Sequence, residues 1–198
     1  MLPARLVLAS NNAGKLRELT SLLAPLHIEV IAQGELGVPE AEEPHPSFVE
    51  NALAKARHAA RITGLPALAD DSGLCVDALH GAPGVHSARY GGEPKSDARN
   101  NQKLLDALAG IAYRKARFVS VLVLVRGADD PQPLIAEGEW QGEILEAPRG
   151  NDGFGYDPLF YVPDLEQSAA ELSHELKNTL SHRGAAMRHL FDRLQALR

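Results

Sequence analysis

At 198 residues, with 44% hydrophobic and 23% charged side chains, the chain is long enough for one substantial core and short for two. Twenty Lys and Arg against 26 Asp and Glu give a formal charge of −6, without the basic footprint of a protein that binds a nucleic-acid polymer. The single cysteine, Cys75, excludes an intrachain disulfide framework and fits a reducing compartment. The longest apolar run, "VSVLVLV" from Val119, is about a third of a membrane-spanning length, and the N-terminus lacks a signal-peptide pattern. The expectation is a soluble cytoplasmic protein with no membrane partner.

In chain order, "RLVLAS" (5–10) predicts a short buried strand. It leads into "GKLRELTSLLAPL", whose leucines at 16, 19, 22, 23 and 26 have amphipathic-helix spacing, with Pro25 as the stop. "HIEVIAQ" (27–33) reads as a second strand and "GELGVPEAEEPHP" (34–46) as a loop. Ser47 and Glu50 form a capping-box pattern that opens a helix running to Gly64. "PALAD" (66–70) is a strand expected to end in the adjacent acids Asp70 and Asp71, followed by a Ser-Gly turn and "GLCVDAL" (73–79).

"HGAPGVHSARYGG" (80–92) is a loop, and Asp97 to Leu108 looks helical. "ARFVSVLVLVRG" (116–127) is a long β-branched strand, and "DDPQP" turns it into "LIAEGEW" and then "GEILEAP". "RGNDGFGYDP" (149–158) is a loop and "LFYVP" (159–163) a short strand. "SHRGAAMRHLFDRLQAL" (181–197) is a terminal helix with Ser181 near its N-cap. The order predicts one α/β domain over 1–198: a two-lobed mixed-sheet fold with a central cleft and an antiparallel meander in the second half.

Four constellations carry chemistry. "SNNAGK" (Ser10, Asn11, Asn12, Ala13, Gly14, Lys15) sits between a strand and a helix, where free backbone N–H groups and the helix dipole favour an anion and Lys15 adds a mobile positive charge. It departs from a phosphate-binding P-loop at Ala9 and Leu16, and also reads as a helix cap with a solvated lysine. Glu40, Glu42 and Glu43 precede the capped helix, on which Asn51 and Lys55 share one polar stripe at i, i+4. Asp70 and Asp71 place like charges side by side, which desolvation and repulsion disfavour unless a cation is near. One of them could hold Mg²⁺ or activate a water while the other anchors the turn. In "GFGYD" (153–157) the aromatics stand between glycines, a poor packing context for a core, and an exposed ring suits stacking on a base. His182 and Arg183 of "SHRG" could read a base edge or a phosphate. Taken together, these groups match a nucleoside polyphosphate.

"LASNNAGKLREL", "FVENALAKARHAA", "ALADDSGLCVDAL", "GAPGVHSARY", "GFGYDPLF" and "LSHRGAAM" occur in this order, and over Leu6 to about Leu190 the chain resembles the inosine/xanthosine triphosphate pyrophosphatase family. The resemblance implies Mg²⁺-dependent hydrolysis of ITP, dITP and XTP, purine triphosphates outside the standard set, to the monophosphate and pyrophosphate. It also implies a homodimer. By motif, Ser10 to Lys15 would bind the triphosphate and Lys55 would neutralise it. Glu43 and Asp71 would hold Mg²⁺, with Asp71 as proton acceptor, and spacing leaves both Glu42 and Glu43 open as the ligand. Ser72 would contact substrate. Phe154, Gly155, Tyr156 and Asp157 would enclose the base, and Lys177, His182 and Arg183 would contact it. One departure is Leu176 directly before Lys177, where the family commonly has a glutamate.

Overall fold

In the computed structural model, which describes residues 2–197, the apolar run Arg5–Leu8 forms β1 and continues through a short turn into helix α1, Ala13–Leu23. A single 3₁₀ turn at Ala24–Leu26 holds Pro25, whose ring cannot continue the helix, and β2 follows at Glu29–Ala32. β1 and β2 pair in parallel, with α1 as the crossover that a parallel pair requires. Helix α2, Phe48–Thr63, starts where Ser47 Oγ accepts from Glu50 N–H and stops at Gly64, as its capping signals predict.

β3, Ala67–Val76, pairs in parallel with β1. Helix α3, Asp97–Ala107, precedes β4, Lys115–Val125, and β5, Leu134–Ile144. β6, Phe160–Val162, pairs antiparallel with β5, and β7, Gln167–Ser168, pairs antiparallel with β6. Helices α4, His174–Leu180, and α5, His182–Gln195, follow. Among the described residues the strands form one mixed sheet in the order β2-β1-β3-β4-β5-β6-β7, the expected fold class with its meander in the second half.

The chain divides into two compact units. One takes residues up to Asp71, Ser120–Gly138 and the stretch from Ala185 onward; the other takes Ser72–Val119 and Glu139–Gly184. Each has its own core. Leu6, Leu8, Leu23, Leu68, Leu124 and Leu190 are among the buried residues of the first, and Leu74, Leu104, Phe118, Trp140, Leu159 and Phe160 among those of the second. The length of the chain predicts one substantial core, and the structure has two clusters. The reason is strand length: ten or eleven extended residues span about 33–36 Å at ~3.3 Å each, so Leu68 and Leu74 of β3 serve different clusters.

Two local expectations are corrected, and two elements are added. β3 does not end at the acids; it runs through Asp70, Asp71, Ser72 and Gly73 without a turn, held by buried residues on both sides of them. The two strands expected over 134–148 are one, β5. Gly142 does not break it but allows a close approach, since a Cβ there would stand 2.5 Å from Tyr161 O. α4 and β7 are additional elements, too short to carry a periodic signal.

Candidate active site

The turn after β1 is organised by Asn12, the N-cap of α1, whose Oδ1 accepts from Gly14 N–H at 2.8 Å and Lys15 N–H at 3.1 Å. Asn12 N–H in turn donates to Ser10 Oγ at 3.2 Å. Two N–H groups expected to be free for an anion are therefore engaged by the cap. The first turn of α1 has no acidic residue of its own to set against the positive end of its dipole. Asn11 is exposed, with its amide beside Gly34. Lys15 is held in an ion pair: its Nζ donates to Asp70 Oδ2 at 2.6 Å, and Asp70 is buried. This pairing is what makes a buried aspartate tolerable there.

Asp71 points to a different lysine. Lys55 Nζ, on α2, stands 3.6 Å from Asp71 Oδ1 and also donates to Glu43 Oε1. Successive strand residues face opposite ways, which lets α1 answer Asp70 and α2 answer Asp71. Glu42 is exposed, whereas Glu43 is the half-buried acid on Lys55. The acidic loop is fastened by Asn51, a buried residue of α2 that accepts from His45 N–H at 3.0 Å and donates to His45 C=O at 3.1 Å. That role was missed in the sequence, although the placement of Asn51 one turn before Lys55 was its signal.

One ammonium against two carboxylates leaves one negative charge around Lys55. Among the described residues no three His, Cys, Asp or Glu side chains gather as a metal cage. Two hard carboxylates fit Mg²⁺, which takes one or two protein carboxylates and completes its shell with water and substrate phosphate. Ser72 follows on β3 and is half-buried.

The second unit holds Phe154 and Tyr156. Gly153 and Gly155 have φ of 86° and 60°, and a Cβ on Gly153 would stand 2.4 Å from Asp157 Oδ2, so the tight loop requires glycine there. Phe154 between them is 66% exposed. Its N–H donates to Asp157 Oδ2 at 2.7 Å, the same oxygen that accepts from Lys177 Nζ. Lys177 Nζ also lies 4.5 Å from the centroid of the Phe154 ring, in cation–π contact.

Tyr156 corrects the expectation of an exposed aromatic pair. Its ring is buried in the second core and its hydroxyl donates to Ser87 C=O at 2.8 Å. Burial pushes that phenol above its usual range. His182 stacks on Phe118 with centroids 4.9 Å apart and planes 15° from parallel. Arg183 follows in the first turn of α5, where Ser181 Oγ accepts from Gly184 N–H at 3.2 Å. The expected residues thus gather as two clusters: Ser10 to Lys15 with Lys55, Glu43, Asp70 and Asp71 in one unit, and Phe154, Asp157 and Lys177 in the other.

A sequence profile of the Ham1 family matches residues 6–193. A dITP/XTP pyrophosphatase of Aromatoleum aromaticum is 72% identical over 191 residues, covering 96% of each chain. One of Ralstonia nicotianae is 64% identical over 194 residues, again covering 96% of each. The solved structure of a HAM1 protein from Coxiella burnetii is similar with a TM-score of 0.95 and 52% identity, over 99% of this chain and 100% of that one.

Proposed function

The chain belongs to the Ham1 family, and from that premise we propose that it hydrolyses dITP, ITP and XTP to the nucleoside monophosphate and pyrophosphate. The observation that carries the reading is the Lys55 cluster: a lysine held between Glu43 and Asp71, one residue away from the Lys15–Asp70 pair. It supplies cationic groups for phosphate oxygens together with a carboxylate able to take a proton.

In this reading Lys15 and Lys55 bind the triphosphate, with the capped turn from Ser10 to Lys15 against its oxygens and Ser72 as a further contact. Water attacks the α-phosphorus, the bond to the bridging oxygen breaks, and pyrophosphate leaves with the electron pair. Asp71 orients the water and takes its proton. Glu43 and Asp71 would hold Mg²⁺, which supplies charge neutralisation on the phosphate oxygens when bound. Phe154 stacks on the purine, with Gly155, Tyr156 and Asp157 forming the loop around it. Lys177, His182 and Arg183 read the base. A 6-oxo purine presents an acceptor to a guanidinium, whereas adenine presents an amino donor that would leave Arg183 unpaired.

The same reading carries a single domain over 1–198 that works as a homodimer in the cytoplasm, with neither a nucleic-acid polymer nor a membrane as partner. No helix among the described residues is long and apolar enough to cross a membrane. The test is a panel of dITP, XTP, ITP, GTP and ATP with Mg²⁺, with phosphate products resolved. Pyrophosphate from the first three is expected. Orthophosphate release, transfer to an acceptor other than water, or tight binding without turnover would each overturn it.

A further inference from the structure

The geometry points to Asp97 and Asn101 of α3 as positioning residues that set the Phe154 platform through the peptide groups of Gly155. The inference rests on the reading of Phe154 as the residue that stacks on the base. Asp97 and Asn101 are at i and i+4, so both side chains lie along one side of α3. Gly155 N–H donates to Asp97 Oδ2 at 2.7 Å, and Asn101 Nδ2 donates to Gly155 C=O at 2.9 Å. Both backbone polar groups of one residue are thus taken by side chains of a single helix.

That residue needs such a hold. Gly155 adopts φ of 60°, has no side chain to pack, and joins the exposed Phe154 to the buried Tyr156. Phe154 is already fixed on its N–H side by Asp157. The α3 clamp fixes its other side, and between them the two contacts determine where the ring stands. Lys177 occupies a face of that ring, so a displacement of the loop would also misplace the surface left for a purine.

Asn101 supplies the observation that separates positioning from simple stability. Its Oδ1 is buried and has no hydrogen-bond partner among the described residues. Turning the amide would set Oδ1 against the Gly155 carbonyl oxygen, so the clamp itself dictates this orientation. A buried acceptor left unmet is unfavourable, and an apolar residue would avoid it. What Asn101 secures is therefore the place of the loop.

The test measures KM and kcat for dITP together with Tm. Asn101→Ala and Asp97→Ala should each raise KM about three- to tenfold, never beyond the rise in Phe154→Ala, with kcat within about twofold of the parent. Asp97→Asn keeps an acceptor oxygen for Gly155 N–H and should stay near the parent KM. In a Phe154→Ala background neither clamp substitution should raise KM further. An unchanged KM in the folded clamp variants, or an equal rise with Phe154 already removed, overturns the clamp alone. An unchanged KM in Phe154→Ala overturns the base-platform reading itself. Asp97 lies on the exposed start of α3, so its variants keep the test decisive even if Asn101→Ala does not fold.

Discussion

Lys15 Nζ lies 2.6 Å from Asp70, while Lys55 Nζ stands 3.6 Å from Asp71 and also meets Glu43, so removing one charge or the other has different consequences. Asp70→Asn leaves the Lys15 ammonium beside a neutral amide at a buried position. We expect it to lower Tm, with a stability loss of about 1–3 kcal/mol, before it affects turnover. Asp71→Asn should keep Tm and lower kcat by about two orders of magnitude or more, as loss of a proton acceptor requires. Calorimetry and rates on both variants test the division, and a correctly folded Asp71→Asn enzyme of near-parent activity would refute it. Arg183→Ala should reduce kcat/KM for ITP by about 1–3 kcal/mol while changing the ATP reaction far less, so the ITP-to-ATP ratio falls toward unity. A ratio unaltered by the substitution would make Arg183 a phosphate contact. The exposure of Phe154 was legible from its glycine neighbours, whereas the contact of Lys55 with Glu43 was not, since the two stand 12 residues apart, one on α2 and the other in the loop before it. The partner of Lys15 was not, because nothing local in "SNNAGK" announces an acid 55 residues away. Nor did the alternation of "GFGYD" reveal that Tyr156 is core, since that depends on where Ser87 lies.

The elements depend on how their ends are held, and the β4–β5 turn shows this most plainly. The buried Asp130 carboxylate accepts from Arg126 N–H at 2.9 Å, from the Arg126 guanidinium and from Gln132 N–H at 3.0 Å. Hydrogen bonding to Arg126 holds its pKa well below the usual carboxylate range. Because the folded value is depressed, the stabilisation is present above the unfolded pKa of about 4 and is lost as pH falls below it toward the folded value. Asp130→Asn should therefore lower Tm at pH 7, and the gap from the parent should close as pH is taken from 5 toward 2. A gap that is constant over this range would show that the ionised carboxylate contributes nothing. The strands and helices with strong periodicity, β4, α2 and α3, were legible because pattern and caps agreed. β3 was misread because paired acids and a Ser-Gly dipeptide look like a turn locally; the ion pairs to α1 and α2 that let the strand continue are tertiary.

At the scale of the whole molecule, the mixed α/β class and the late meander were legible from the order of elements, while the second core was not, because chain length does not say that one long strand serves two clusters along its length. We expect a homodimer, and light scattering at micromolar concentration that returned the mass of one chain would refute it. The first unit is discontinuous: its core joins Leu6, Leu8 and Leu68 to Leu122 and Leu124 of β4 and to Ala186, Leu190 and Leu194 of α5. During translation, the segment bearing Lys15, Lys55 and Asp71 therefore emerges long before the side chains that will cover its apolar surface. At ~10 residues per second the interval is on the order of ten seconds, during which the leucines of β1 and α1 lack the share of their cover that β4 and α5 supply. The unit that begins the chain is thus the first to start and among the last to be completed, since its core closes only when β4 and α5 have been made.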